Sequence, residues 1–337
     1  MEIEEFCRTL DPALSGDYRD GYLWSSGDAA KDLGHAARDA LAVPHFPGDP
    51  VVVEGEDAAI LLQGLLTSDV KSIGLGSAST SFLLNQRGGI LAALTLLKRD
   101  AGFLLDADRK SLENAESTLK RFNIGVRAKV GRLAGFSSRL WVLGPKSQEI
   151  IGESLSIDLD RSPFHELGKE SFLYVRKEKD WNVIAVVGTP KGVSEVYQSI
   201  APKIPLGGML AFRAITLRKG SYQMGFDYSE NEFLLHLGTT DAVSFTKGCY
   251  LGQEAVSRGT LVGKIKQGLR TVTVASPVEV PSRASVFVQG EKIGETRGWV
   301  CLPDTGLGSG LIRLDVEKDT EIHFDWGSGR ASGHLAT

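Results

Sequence analysis

The sequence is poor in the residues from which disulfide-braced and metal-bearing proteins are built. Its 337 residues hold three cysteines, Cys7, Cys249 and Cys301, widely spaced and odd in number. No disulfide framework follows from them, and the pattern fits a reducing compartment. There is no Cys-x-x-Cys, and the six histidines lie scattered without ligand spacing. No metal site held by this chain alone is expected. A positive surplus is missing too: 38 Lys and Arg against 42 Asp and Glu leave a net charge of −4, which argues against general nucleic-acid binding. No apolar run reaches the length of a membrane span. The start, Met1-Glu2-Ile3-Glu4-Glu5, is acidic and lacks the marks of a signal or transit peptide, so a cytoplasmic location is expected.

What is present is ordinary globular material, 42% hydrophobic and 24% charged, long enough for two or three domains. Ala29 to Ala42 has the spacing of a helix, and Pro44 to Pro50 breaks the pattern. Val51-Val52-Val53 predicts a strand, followed by a helix from about Ala58 to Leu66 with Asp57 as N-cap. Ser81 to Leu84 and Ile90 to Leu97 predict a hairpin around Asn85-Gln86-Arg87-Gly88-Gly89. Gly102 to Asp106 is a further strand. Asp108 to Phe122 is an amphipathic helix with Leu112, Ala115, Leu119 and Phe122 on its apolar face. Arg139 to Leu143 predicts a strand, and Ser171 to Val175 pairs with Val183 to Val187 across the turn Lys177-Glu178-Lys179-Asp180. Helices are expected at Gly192 to Ile200 and Met209 to Leu217. From Gly268 onward, short β-rich runs alternate with turns and predict a small barrel or sandwich beginning near 265–270. The glycine-rich Gly306-Leu307-Gly308-Ser309-Gly310 is expected to be a turn.

The chemistry concentrates in Ser244-Phe245-Thr246-Lys247-Gly248-Cys249-Tyr250-Leu251-Gly252-Gln253-Glu254. Gly248 and Gly252 permit a tight turn with positive φ. Gln253 to Arg258 opens a helix, and its free N–H groups favour a nearby anion. Lys247 adds positive charge, and both effects lower a thiol pKa. Glu254 and Arg258 stand four apart, the spacing of a helical ion pair. On local chemistry alone, the commoner role of a free cysteine, a small buried apolar side chain, stands beside the reactive one.

This string resembles the K-G-C-Y-x-G-Q-E signature of the YgfZ-type folate-binding proteins, a branch of the glycine-cleavage T-protein (aminomethyltransferase) superfamily linked to iron–sulfur protein maintenance. Val53-Glu54-Gly55-Glu56-Asp57-Ala58, Leu62-Gln63, Thr67-Ser68-Asp69-Val70 and Phe82 to Leu91 resemble further blocks of the family, so the likeness spans roughly residues 50–270. It implies an α+β protein: a three-domain cloverleaf of the T-protein type, with ferredoxin-like α/β domains and a C-terminal β-barrel. Residues 1–46 and 135–265 would form one discontinuous folate-binding domain, 47–134 an inserted ferredoxin-like domain, and 266–337 the barrel. The ligand implied is tetrahydrofolate or a one-carbon derivative. Cys249 is then the working group, and Lys247, Gly248, Tyr250, Gly252, Gln253, Glu254 and Arg258 surround the ligand. The partners implied are a reduced folate and iron–sulfur client or assembly proteins, with neither nucleic acid nor membrane.

Two departures set the chain apart from a true aminomethyltransferase. The carboxylate that follows the Gly-Gly hairpin in those enzymes is replaced by Ala92-Ala93, and acid–base assistance of that kind is worth roughly two to four powers of ten in rate. Arg218 stands where a pterin-binding Glu is expected before Gly220. Asp227 and Glu232 are available as substitutes but read better as surface acids. Lys247, Arg258, Lys264, Lys266 and Arg270, against the single Glu254, make a local basic cluster suited to a folate's glutamate tail or simply to solvent. The function implied is a folate-binding accessory protein supporting iron–sulfur cluster assembly or repair. The alternative is a folate-dependent one-carbon (aminomethyl) transferase or demethylase.

Overall fold

Residues 2–178, 180–261, 263 and 265–336 are described by a computed structural model. The chain forms two compact units: Met1–Leu84, Leu91–Phe212 and Ala242–Leu251 make the first, and Asn85–Ile90, Arg213–Asp241 and Gly252–Thr337 the second.

Two sheets build the first unit. The larger joins β1 (Asp17–Arg19), β2 (Tyr22–Ser25) and β3 (Leu41–His45) to β9 (Ser138–Leu143), β10 (Phe164–Leu167), β11 (Ser171–Lys177) and β12 (Asn182–Gly188), in the order β1-β2-β3-β9-β12-β11-β10. Every neighbouring pair is antiparallel. One face packs on α1 (Ile3–Leu10), α5 (Ser147–Leu155) and α6 (Pro190–Ile200), burying Phe6, Cys7, Leu140, Val142, Ile151, Ile184, Val193 and Ile200 in one cluster. Cys7 is sealed there, and burial pushes its thiol up to about 12. On the opposite face Arg139 donates to Asp106, whose second oxygen accepts from Tyr174 Oη at 2.7 Å. His45 stacks between Tyr22 and Trp141. Burial and the adjacent Arg139 and Arg176 hold its imidazole well below the ordinary range.

The smaller sheet runs β5-β6-β7-β4-β8, from β4 (Val51–Glu54), β5 (Ala78–Leu84), β6 (Ile90–Arg99), β7 (Gly102–Asp106) and β8 (Lys129–Arg132). Its core takes Val51, Val53, Ala92, Leu94 and Leu96 from strands, Leu61 and Leu62 from α3 (Ala58–Gln63), and Leu112, Ala115 and Leu119 from α4 (Arg109–Phe122). Phe122, assigned to that apolar face from spacing, is instead 43% exposed at the helix end. α3 stops at Gln63, short of the predicted Leu66. Asp57 occupies the N-cap position but does not cap through its side chain: its carboxylate accepts from the backbone N–H and Nε of Arg127. α2 (Ala29–Arg38) is also shorter than its alanine content suggests. Its continuation becomes β3, because Leu41 to His45 pair with β9, and Pro44 lies inside that strand.

The second unit carries the closed barrel β13-β16-β15-β14-β17-β18. Its strands are β13 (Gln267–Val274), β14 (Ser285–Val288), β15 (Glu291–Cys301), β16 (Gly306–Arg313), β17 (Glu321–Asp325) and β18 (Arg330–Leu335). The expected glycine turn lies within strand β16. A Cβ at Gly308 would meet the Trp299 ring at 2.1 Å, so these glycines make room for that indole. α7 (Met209–Arg218) ends among this unit's residues, and α8 (Gln253–Leu261) belongs to it. No described helix is long and apolar enough to cross a membrane.

Candidate functional site: the cysteine loop and its anchor

α3 is one and a half turns long and, like any helix, leaves its last carbonyls without intrahelical partners. A cation placed there satisfies them and complements the helix dipole. Lys247 supplies it from 184 positions along the chain: Nζ donates to Gln63 O, at the last residue of α3, at 2.8 Å, and also to two carbonyls of the segment after the helix, Ser68 O at 2.8 Å and Leu66 O. The ring of Tyr250 lies beneath the ammonium, 4.8 Å from centroid to Nζ. Among the described residues no carboxylate pairs directly with the charge. Burial therefore lowers this lysine from its ordinary value to about 8, and Asp69 opposes the shift.

The surrounding residues lock the same loop. Gln63 donates to Asp69 Oδ1 at 2.9 Å and accepts from Val70 N at 2.8 Å, closing the turn after α3. Thr67 Oγ1 donates to Ala242 O at 2.6 Å and accepts from Phe82 N at 2.9 Å. Ser244 N donates to Thr67 O at 2.8 Å, and Leu251 N donates to Gly64 O at 3.2 Å. Leu251 packs on the core of the smaller sheet, and Ala242, Val243 and Tyr250 are buried. Between these fixed ends the backbone emerges. Phe245 is 48% exposed, and Cys249 is exposed as well. The Tyr250 hydroxyl is buried with no hydrogen-bond partner among the described residues, and burial raises its pKa.

The structure thus groups Lys247, Gly248, Cys249 and Tyr250 in the first unit, whereas Gly252, Gln253, Glu254 and Arg258 belong to the second. Gly252 has φ +82°, the conformation expected of it. Gly248 has neither a positive φ nor any close neighbour; its expected role in the turn is not seen. α8 begins at Gln253, as predicted. Glu254 and Arg258 pair at 2.7 Å with both side chains more than three-quarters exposed. In that same unit, the hairpin tip is organised by Asn85, whose Oδ1 accepts from Arg87 N and Gly89 N. The tip is held by Leu234 N to Gly88 O and Ile90 N to Glu232 O. Gly88 has φ +76°, and a Cβ there would meet Phe233 at 2.7 Å.

The acids are not where a transferase needs them. Ala92 is fully buried among Leu94, Leu96 and Leu112, so no carboxylate could stand there ionised. Ala93 points the other way along the strand and is half-buried. Arg218 is exposed at the end of α7. Neither proposed substitute is a surface acid. Asp227 is fully buried and accepts from Arg213 Nη1 and Nη2 at 2.6 and 2.7 Å, from Gln223 N at 2.7 Å and from Ser309 Oγ at 2.6 Å. Glu232 is mostly buried and bonds His236 Nδ1 at 2.7 Å, with Arg297 at 3.8 Å. The His236 contact is the largest cause of its lowered pKa.

The basic cluster disperses in the same way. Lys247 faces carbonyls, Arg258 faces Glu254, and Arg270 donates to the carbonyls of Val316 and Arg313. Lys266 is exposed, and Lys264 lies outside the described residues. Among the described residues no group of three or more His, Cys, Asp or Glu is placed to hold a metal.

Gln63, Thr67 and Asp69 were not assigned to the site from sequence. Their signal is membership of the segments that resemble the family's, Leu62-Gln63 and Thr67-Ser68-Asp69-Val70.

Comparison with known proteins agrees with this fold. The glycine cleavage system aminomethyltransferase T from Bartonella henselae superposes with a TM-score of 0.85 at 16% identity, covering 98% of this chain and 96% of that one. The fold is therefore that of the T-protein, mixed α and β with a closed six-stranded barrel. The GCVT N-terminal domain model matches residues 49–176. The tRNA-modifying protein YgfZ of Colwellia psychrerythraea is 24% identical over 248 residues, 73% of this chain and 74% of its own. The mitochondrial iron–sulfur cluster assembly factor IBA57 homolog of Mycosarcoma maydis is 26% identical over 258 residues, 72% of this chain and 59% of its own. Together these similarities support a YgfZ-type member of the glycine-cleavage T-protein superfamily.

Proposed function

We propose that this protein supports iron–sulfur cluster assembly or repair in client enzymes, tRNA-modifying ones among them, with Cys249 as its working group. The carrying observation is an exposed thiol on a loop pinned at both flanks. A thiolate is a soft donor suited to iron and to iron–sulfur intermediates, and its value rises when its position is fixed. The relatives named for tRNA modification and for cluster assembly support the same reading. The cluster is cargo here.

A reduced folate is the small-molecule partner in this reading, carried over from the superfamily. The residues do not fit a folate poised for one-carbon transfer. Ala92 is core, Ala93 bears no acid, Arg218 has replaced Glu, and the oxygens of Asp227 are already bonded inside the protein. No transfer step is therefore derived through it. Calorimetric titration with tetrahydrofolate should show saturable binding; none at millimolar ligand removes folate from the proposal.

The test of the main reading is complementation. In cells lacking this protein, the wild type should restore the activity of an iron–sulfur enzyme and Cys249→Ser should not. Full rescue by Cys249→Ser would sink the reading. The T-protein fold favours one second reading, an aminomethyl transferase. Robust amine-dependent formation of methylenetetrahydrofolate by the purified protein would establish it instead.

A further inference from the structure

The lysine that precedes the cysteine invites an electrostatic role, in which its charge stabilises a thiolate two residues away. Its contacts point elsewhere. All three ammonium hydrogens have backbone acceptors, Gln63 O, Leu66 O and Ser68 O, and the group is roofed by Tyr250. We infer that Lys247 is a positioning residue that acts as an internal clamp: it fastens the Cys249 loop to the carbonyl end of α3 and the segment that follows it, and Gln63, Thr67 and Asp69 complete the clamp. The inference adds a mechanism of presentation to the proposed use of Cys249. It concerns where the sulfur is held and is measured without any client enzyme.

Three convergent carbonyls suit a compact ammonium with three tetrahedral donors. A guanidinium is planar and wider and cannot place three N–H groups on the same three acceptors. Arginine therefore keeps the charge and loses the clamp. Thr67 offers the converse change: its hydroxyl bridges Phe82 N and Ala242 O and carries no charge. The amides of Ser244 and Leu251, which donate to Thr67 O and Gly64 O, report whether the loop stays fastened.

The experiment uses the full chain in a Cys301→Ser background, because Cys301 is the other exposed thiol. Lys247→Met, Lys247→Arg and Thr67→Val are compared by hydrogen exchange of the 242–251 segment and by iodoacetamide alkylation of Cys249 across pH. The clamp predicts that all three variants speed exchange at Ser244 and Leu251 by roughly tenfold or more, the scale of one lost net hydrogen bond. It also predicts that Lys247→Arg resembles Lys247→Met in its limiting alkylation rate, and that Thr67→Val changes that rate with an unmoved pH midpoint. An arginine variant matching wild type in exchange and alkylation, with only the methionine variant shifted in midpoint, would overturn the clamp in favour of a charge effect. So would unchanged exchange in Thr67→Val, which also decides the matter if the lysine variants fail to fold.

Discussion

Arg213 and Lys247 are both drawn away from solvent, and the protein treats them in opposite ways. Arg213 meets a carboxylate: both terminal nitrogens bond Asp227, whose oxygens also take Gln223 N and Ser309 Oγ, and the pair is almost wholly excluded from solvent. Lys247 is bonded by three carbonyls and faces an aromatic ring, with Asp69 acting on it only through space, and stays half-buried. The first arrangement is closed and neutral in sum. The second keeps a net charge in a partly dry place, so its ammonium is lowered to about 8. A buried charge with a counter-charge fixes structure through the pair itself. One satisfied by carbonyls alone remains responsive to its surroundings.

The sharpest way to break this comparison is to remove each counterpart. Asp227→Ala leaves Arg213 buried and unpaired and should destabilise by about 3–5 kcal/mol in urea unfolding; a loss near zero would mean the pair contributes little to the second unit. Lys247→Met should lose less, about 1–3 kcal/mol, because carbonyls left without a donor are less harmful than a stranded charge. The lysine should also betray itself through pH. Its folded pKa lies below its ordinary value of 10.5, so between about pH 8 and 10.5 the unfolded chain binds more protons than the folded one. The lysine's contribution to stability must then rise with pH across that window and be flat below it. Lys247→Met, measured against wild type at each pH, removes this slope; a difference independent of pH would refute the lowered value. Gly252→Ala forces φ +82° on a residue with a Cβ and should lose about 1 kcal/mol. Glu254→Gln, breaking an ion pair in open solvent, should move stability by less than about 0.5 kcal/mol.

Much of the scaffold was legible because its signals are local. Gly102 to Asp106 forms a strand with the predicted bounds, and α8 starts at Gln253 after a glycine with positive φ. The barrel is visible as texture, in runs such as Leu269 to Val274 and Ser285 to Val288, but β15 and β18 are not. A bulge between Thr296 and Trp299 breaks the alternation of β15, and glycines dilute its apolar signal. α2 was overextended because an alanine run favours helix until pairing with β9 takes Leu41 onward. The site was legible as a motif and not as a mechanism. Cys249 and Lys247 stand out by type, yet the partners of Lys247 are main-chain carbonyls, which every residue possesses and no sequence marks. Asp227 looked like a surface acid because nothing in its own neighbourhood announces Arg213, fourteen positions earlier, or Ser309 in the barrel.

The alternation of β6 gives the two alanines that replace the transferase acid unequal futures. Ala92 is enclosed by leucines, and a carboxylate introduced there would have to be neutral or unfold its surroundings. Ala93 falls on the other face of the strand, at a half-buried position. Of the two, Ala93→Asp is therefore the variant in which a transferase-like activity should be sought.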